Sequence, residues 1–385
     1  MEKKRILFIP SSVKGGVWYY RVYTPMKALA YKCKEEFDIT IDNHYTFTDA
    51  EKDEIGKKYD IVWMHNCLFA GEIQEEVWKM IIYCKKEYGV KFILDIDDYW
   101  DYGRWHPARE ACTFNAIPQK MLINFQLFDY VTTTTEYFKG IISDFFPKEK
   151  IMVFENAIST EDSQFSLEKN PSDKIRIGFT GGSSHTYDME GIMGFWKWLP
   201  RNIKDKIEVV LCGYDTNCAK KVTIDEKGKV VEETDLKDSD NWWIKTENEI
   251  VKGVGKDHYK RIETKDIYKG EFGQIYKDID ILLVPLKNTR FNNCKSELKF
   301  IEAGFTNTAV IASKVIPYSN FAQDGVDCLL VRYNIPQKWA KKIKQLVLDK
   351  ELMKSVAEAN SKRVTEERNL EKITEKRLEF LRTLD

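Results

Sequence analysis

The feature that most restricts the fold is one pattern that runs twice along the chain. Short aliphatic and β-branched runs at 5–10, 37–42, 61–65, 91–95, 130–134 and 151–155 alternate with helical stretches, such as 72–88, whose apolar residues recur at helical spacing. The alternation restarts at 175–180 and continues at 208–212, 279–284, 309–313 and 328–331. Runs of this kind suit strands covered on both faces. A helix between two such strands carries the chain back over the sheet, so that they pair in parallel. The sequence therefore predicts an α/β protein with two Rossmann-like parallel sheets.

The two series are separated by the polar segment 160–173, TEDSQFSLEKNPSD, which has the composition of a linker. A chain of 385 residues also exceeds what one core accommodates. Domains are expected at 1–165 and 166–360, with the helix 361–385 returning to the first domain. Trp339, Ile343 and Leu346 form an apolar stripe in the Lys/Glu-rich tail. Region 214–264 interrupts the second series. Its segment 221–231 reads as a hairpin around Lys227-Gly228, and Trp242-Trp243 after it look exposed, so the region is taken as an insertion.

Charge and cysteine usage narrow the function. Sixty basic residues balance 61 acidic ones for a net charge of -1, which excludes a dedicated polyanion binder. No run approaches the ~18 apolar residues of a membrane span. The N-terminal run 6–9 is shorter than the core of a signal peptide and ends at Pro10, so a soluble, cytoplasmic protein is expected. Eight cysteines lie singly without a CxxC pair, and five histidines show no HExxH spacing. Neither a disulfide framework nor a protein-held metal is expected.

Open parallel sheets bind ligands beyond the carboxyl ends of their strands, and four loops there carry polar chemistry. Ser11 to Val17 contains Gly15 and Gly16, which admit close approach of backbone to an anion or simply make a tight turn. Gly181-Gly182-Ser183-Ser184-His185 follows a strand and precedes a helix expected at 188–199, an arrangement suited to cradling phosphate. Lys295, Lys299 and Glu302 share one face if 295–302 is helical, with Leu298, Ile301 and Phe305 on the core side. Two cations and a carboxylate can hold a diphosphate and a ribose diol, or form a solvated ion pair. Asp95, Asp97 and Asp98 end a strand, where carboxylates bind acceptor hydroxyls, act as a base or hold a divalent cation; Asp98 and Asp101 can instead cap a helix.

Together these residues resemble a glycosyltransferase of the GT-B type, in the retaining family 4, of a subgroup found in bacterial surface-polysaccharide clusters and phages. Ile177-Gly178-Phe179-Thr180-Gly181-Gly182 with His185 and Asp188 resembles the Gly-rich donor loop. The run Asp280 to Leu286, followed by Lys295-Ser296-x-x-Lys299-x-x-Glu302, resembles the donor-site signature. Pro317-Tyr318 and Gly325 to Val331 fit the segment that follows, and Gly15-Gly16, Tyr20-Arg21, Pro25 and Asp97-Asp98 fit in the first domain.

The resemblance implies two domains facing across a cleft, with a nucleotide sugar such as a UDP- or GDP-sugar as substrate and no further cofactor. Glu302 would hold the ribose. Lys299, with Lys295 or Arg290 and the Gly181-Gly182 loop, would hold the diphosphate. Gly15, Gly16, Arg21, His185 and Ser296 complete the implied donor set, and Asp97, Asp98 and Lys299 are the implied catalytic residues. Transfer would retain configuration without a metal, with Lys299, the glycine amides and Arg21 or Lys14 neutralising the leaving group. Two departures stand out. The family's glutamate eight positions before Glu302 is Cys294, and many relatives carry a histidine where this chain has 95–98. His65 is not an obvious replacement and reads as the end of a buried strand. The acceptor stays open among glycan, lipid-linked sugar, protein and modified DNA; Trp100, Arg104 and Trp105 could stack on a sugar or base. The rivals are an epimerase of the same fold and a non-catalytic nucleotide-sugar-binding protein.

Overall fold

The computed structural model describes residues 3–13, 15–69, 71–166, 168–182, 185–214, 220–224, 230–267 and 269–384. Lys14, Ser183, Ser184 and the Lys227-Gly228 turn lie outside these. The chain forms two compact units. Unit 1 comprises Met1–Thr160, Thr289–Leu298 and Glu367–Asp385, and unit 2 comprises Glu161–Asn288 and Lys299–Glu366.

Unit 1 is built on six strands, β1 (Lys4–Ile9), β2 (Phe37–Ile41), β3 (Ile61–His65), β4 (Lys91–Asp95), β5 (Tyr130–Thr133) and β6 (Ile151–Val153), in the order β2-β1-β3-β4-β5-β6. All pair in parallel. Successive side chains point to opposite faces, and both faces are apolar. Leu7, Val62, Met64, Phe92 and Leu94 pack with Val77, Met80 and Ile81 of the helix Ile73–Tyr88. On the other face Ile6, Phe8, Trp63 and Ile93 pack with Val22, Met26 and Leu29, and with Ile373, Leu378 and Leu381 of the C-terminal helix Leu370–Arg382. That helix starts at Asn369, whose side chain accepts the Glu371 N–H as an N-cap.

Unit 2 repeats the plan with β7 (Ile175–Thr180), β8 (Ile207–Tyr214), β11 (Tyr259–Glu263), β12 (Ile281–Val284), β13 (Ala309–Ser313) and β14 (Leu329–Val331), in the order β11-β8-β7-β12-β13-β14. These also pair in parallel. The antiparallel pair β9 (Lys220–Ile224) and β10 (Val230–Asp235) stands apart from the main sheet. Trp339, Ile343 and Leu346 are fully buried against the unit 2 core. Among the described residues no helix is long and apolar enough to cross a membrane.

Three local expectations are corrected. Region 214–264 is not a simple insertion, because it supplies the edge strand β11 and the helix Trp242–Ile250. Trp242 is exposed at 62%, but Trp243 is 4% exposed and donates its indole N–H to Glu247 at 3.0 Å. The stretch 188–199 is not one helix. It breaks after Thr186–Met189, since Gly194 adopts φ 73° and a 3₁₀ turn follows at Phe195–Trp198. The helix expected at 295–302 begins only at Leu298; a separate short helix, Arg290–Asn293, precedes it.

Candidate functional site

Each sheet has one place where the order reverses, so that connections leave in opposite directions and open a crevice at the strand ends. In unit 2 this lies between β7 and β12, where the chain after Thr180 makes the Gly181-Gly182 turn. The Gly181 N–H donates to the Cys212 carbonyl at 3.0 Å. Gly213 follows at φ 134°, and a Cβ there would lie 2.0 Å from the Gly181 oxygen, so only glycine allows this approach. His185 Nδ1 lies 3.2 Å from buried Asp188, whose other oxygen accepts the Lys287 N–H at 2.9 Å. The turn after β7 is thereby tied to the loop after β12.

Lys299 and Glu302 enter this site from the helix Leu298–Phe305. The Lys299 ammonium donates to Thr180 Oγ1 at 3.4 Å, and lies 5.9 Å from the Phe179 ring centre. Glu302 is 3% exposed and accepts the Tyr276 hydroxyl at 2.6 Å, which rules out a solvated ion pair at this position. Burial and the Glu302 charge push the Tyr276 phenol well above its ordinary range, so it stays a donor. On the core side Ile301 and Phe305 are buried, whereas Leu298 is only half-buried. Thr180, Tyr276, Lys299 and Glu302 thus form one cluster. Nothing in the sequence singled out Tyr276, which sits in the 3₁₀ segment Phe272–Asp278.

Lys295, Ser296 and Arg290 belong instead to unit 1. The Lys295 ammonium donates to Asp98 at 3.2 Å and lies 4.5 Å from the Phe291 ring centre. Ser296 Oγ accepts from Asn156 at 2.8 Å. The Arg290 guanidinium lies over Tyr99 at 5.1 Å and 3.8 Å from Asp144. Cys294 is fully buried in the unit 1 core, where burial pushes its thiol up to about 12.

In unit 1 the order reverses between β1 and β3, beside Ser11 and His65. The acidic cluster is there, but each carboxylate faces a different cation. Asp95 takes Arg21 in a bidentate pair, Nε at 3.1 Å and Nη2 at 2.6 Å, with both side chains 2% exposed. The other Arg21 nitrogen donates to the Phe154 carbonyl at 2.6 Å and to Asn156 at 3.2 Å, so four of the five N–H donors of this guanidinium are engaged within unit 1. Burial alone would lower the Arg21 pKa, but Asp95 outweighs it and the value is raised. These contacts give Arg21 a structural role at the strand end.

Asp97 lies 3.1 Å from Nε2 of His65, which is 2% exposed. Burial acts to raise the Asp97 carboxyl, yet His65, Arg21 and Lys295 outweigh it and hold it at about 2. Burial acts to lower His65, yet Asp97 and Asp95 raise it above its ordinary value. His65 is thus the centre of a polar network as well as the end of a buried strand. Among the described residues no three His, Cys, Asp or Glu side chains converge as a metal site. Gly15, at φ 77°, and Gly16 are exposed at the start of a helix that passes through a π-helical turn, Trp18–Tyr23, which sets Arg21 towards Asp95.

This architecture has relatives of known structure. HepE from Anabaena, solved with UDP, is 11% identical with a TM-score of 0.66 over 99% of this chain and 100% of that one. Sucrose-phosphate synthase from Thermosynechococcus elongatus is 14% identical with a TM-score of 0.70 over 99% of both chains. A glycosyltransferase from Rickettsia africae is 14% identical at 0.63, over 99% of this chain and 98% of that one. The fold is that of the GT-B glycosyltransferases. No protein-family model matches the chain, and no curated protein matches its sequence. At these identities the likeness fixes the α/β plan and leaves the side chains of the two strand-end sites to be read from their own geometry.

Proposed function

We propose that this protein is a glycosyltransferase that takes a UDP- or GDP-sugar in unit 2 and an acceptor hydroxyl in unit 1. The observation that carries the reading is the cluster Thr180, Tyr276, Lys299 and Glu302 beside the Gly181-Gly182 turn, at the strand-order reversal of unit 2. A buried carboxylate oriented by a phenol suits a ribose diol, since each hydroxyl can donate to a charged oxygen. Lys299 and the glycine amides then carry the diphosphate and stabilise the charge it gains on leaving. His185 orients the turn through Asp188. The resemblance to family 4 and the UDP and UDP-glucose complexes of HepE agree with this assignment.

The same reading makes transfer retaining and metal-independent in a cytoplasmic enzyme. Asp95, Asp97 and Asp98 are paired with Arg21, His65 and Lys295, which supports an acceptor-side role over cation binding. Incubation with a panel of UDP- and GDP-sugars, with and without oligosaccharide acceptors, tests it. Release of nucleoside diphosphate coupled to a new glycoside is expected, and it should persist in excess chelator. Isomerised donor would identify an epimerase, binding without release a carrier, and activity restored only by Mn²⁺ a metal site in the acidic cluster.

A further inference from the structure

Three groups on separate segments meet at the strand-order reversal of unit 1. Ser11, in the loop after β1, is exposed, and its Oγ lies 2.6 Å from His65 Nδ1. Nε2 of the same ring lies 3.1 Å from Asp97, just beyond β4. The imidazole is 2% exposed and cannot itself meet a substrate. Among the described residues, its contact with an exposed hydroxyl is the one to Ser11. With Nε2–H donated to the carboxylate, Nδ1 is left as an acceptor aimed at a surface hydroxyl, the order of groups that draws a proton inward.

We propose that Ser11, His65 and Asp97 form a proton relay that takes the proton of the acceptor hydroxyl, so that the reacting acceptor oxygen binds at Ser11. The assignment rests on the transferase reading above and adds the location and route of deprotonation. As the acceptor oxygen bonds to the sugar's anomeric carbon, the bond from that carbon to the diphosphate oxygen breaks, and the diphosphate leaves with the electron pair. The acceptor proton passes to Ser11 Oγ while the Ser11 proton passes to Nδ1. The resulting imidazolium sits against Asp97 and returns its proton to water after the products leave. The bookkeeping is the same for either stereochemical course.

The surroundings favour that proton. The charges facing the ring are Asp97, Asp95 and Arg21; Asp95 and Arg21 pair with each other, which leaves Asp97 opposite the ring. Lys295 and Arg21 also act on Asp97 and keep it ionised. Because the carboxylates raise the His65 pKa, the neutral, proton-accepting ring is reached only above the ordinary imidazole value of about 6.5.

The test compares wild type with Ser11→Ala, Ser11→Thr and His65→Gln. Ser11 is exposed, so its variants should keep the wild-type melting temperature and nucleotide affinity. Ser11→Ala is expected to lower kcat for transfer by about 10²- to 10⁴-fold, the usual range for lost acid–base assistance, with the donor Kd unchanged. Ser11→Thr, which keeps the hydroxyl, should recover most of it. The wild-type pH profile should rise through a pKa above 6.5, and this limb should vanish in Ser11→Ala and His65→Gln. Wild-type turnover in Ser11→Ala, an unchanged pH limb, or no difference between Thr and Ala would overturn the relay alone. Absence of donor turnover in the wild-type protein would overturn the transferase reading and the relay with it.

Discussion

The two strand-order reversals share a plan and differ in chemistry. In unit 1 the strand ends are joined by charge: Arg21 to Asp95, His65 to Asp97, and Lys295 to Asp98. In unit 2 they are joined mainly through backbone and hydroxyl groups. The Gly181 amide meets Cys212, Gly213 presses on Gly181, and Lys299 and Tyr276 both reach Thr180. The difference shows what each unit can offer a ligand. Paired charges lock the end of sheet 1 and expose a hydroxyl, which suits a neutral acceptor. A glycine turn with a lysine and a buried carboxylate suits an anion carrying a diol.

The comparison breaks first at Asp95. Asp95→Ala would strand the Arg21 guanidinium, which is 3% exposed, without its carboxylate. Removing one partner of a buried pair costs about 3–5 kcal/mol, so unit 1 should melt early or fail to fold. Denaturant titration measures it. A loss below about 1 kcal/mol, the scale of an exposed pair, would mean that the pair does not hold the strand end and would return Arg21 to the candidate donor ligands.

The corresponding break in unit 2 is steric. Gly213→Ala places a methyl group 2.0 Å from the Gly181 oxygen, so the Gly181-Gly182 turn must move. Overpacking of this kind costs about 1–3 kcal/mol. Nucleotide binding should fall with it, read by calorimetry. Intact affinity in a destabilised variant would show that the turn is structural and carries no diphosphate.

These contrasts also mark what the sequence revealed. The strands were readable because both faces of each sheet are covered, which makes stretches such as 61–64, 92–94, 281–284 and 309–313 continuously apolar or small. The edge strand β11 was not, since YKRIE keeps only Tyr259 and Ile262 half-buried. Ion partners were illegible for a different reason. Arg21 and Asp95 lie 74 positions apart, and Lys295 and Asp98 lie 197 apart. Local spacing set Lys295, Lys299 and Glu302 on one helix face, but tertiary contacts win. Glu297 is drawn to Arg368 at 2.6 Å and Ser296 to Asn156, so the helix starts after both. Ser11 and His65 are not legible as a pair, because nothing local links the end of β1 to the end of β3.

A milder substitution asks whether the unit 2 carboxylate does what its burial suggests. Glu302→Gln keeps the shape and loses the charge, and Gln can still accept from Tyr276. Replacing charge-assisted hydrogen bonds to a diol should weaken nucleotide binding by about 1–3 kcal/mol, with little change in stability. Unchanged affinity would leave Glu302 as a buried partner of Tyr276 alone.

The smallest expected effect separates the two units most finely. Lys295 falls in unit 1 and Lys299 in unit 2; the Lys295 side chain is 22% exposed and pairs with Asp98, which is 40% exposed. A pair this accessible is screened by water and contributes at most about 1 kcal/mol, so Lys295→Met should shift stability by less than that. If Lys295 serves unit 1 alone, nucleotide affinity should stay within about twofold, because no charge is removed from the diphosphate. If Lys295 also reaches the diphosphate, losing a charged hydrogen bond worth about 1.5–3 kcal/mol should weaken binding tenfold or more. Calorimetry with UDP and GDP at two salt concentrations decides between them. A tenfold, salt-sensitive loss in Lys295→Met would rejoin Lys295 to the donor set and show that the assignment of this segment to unit 1 understates its reach.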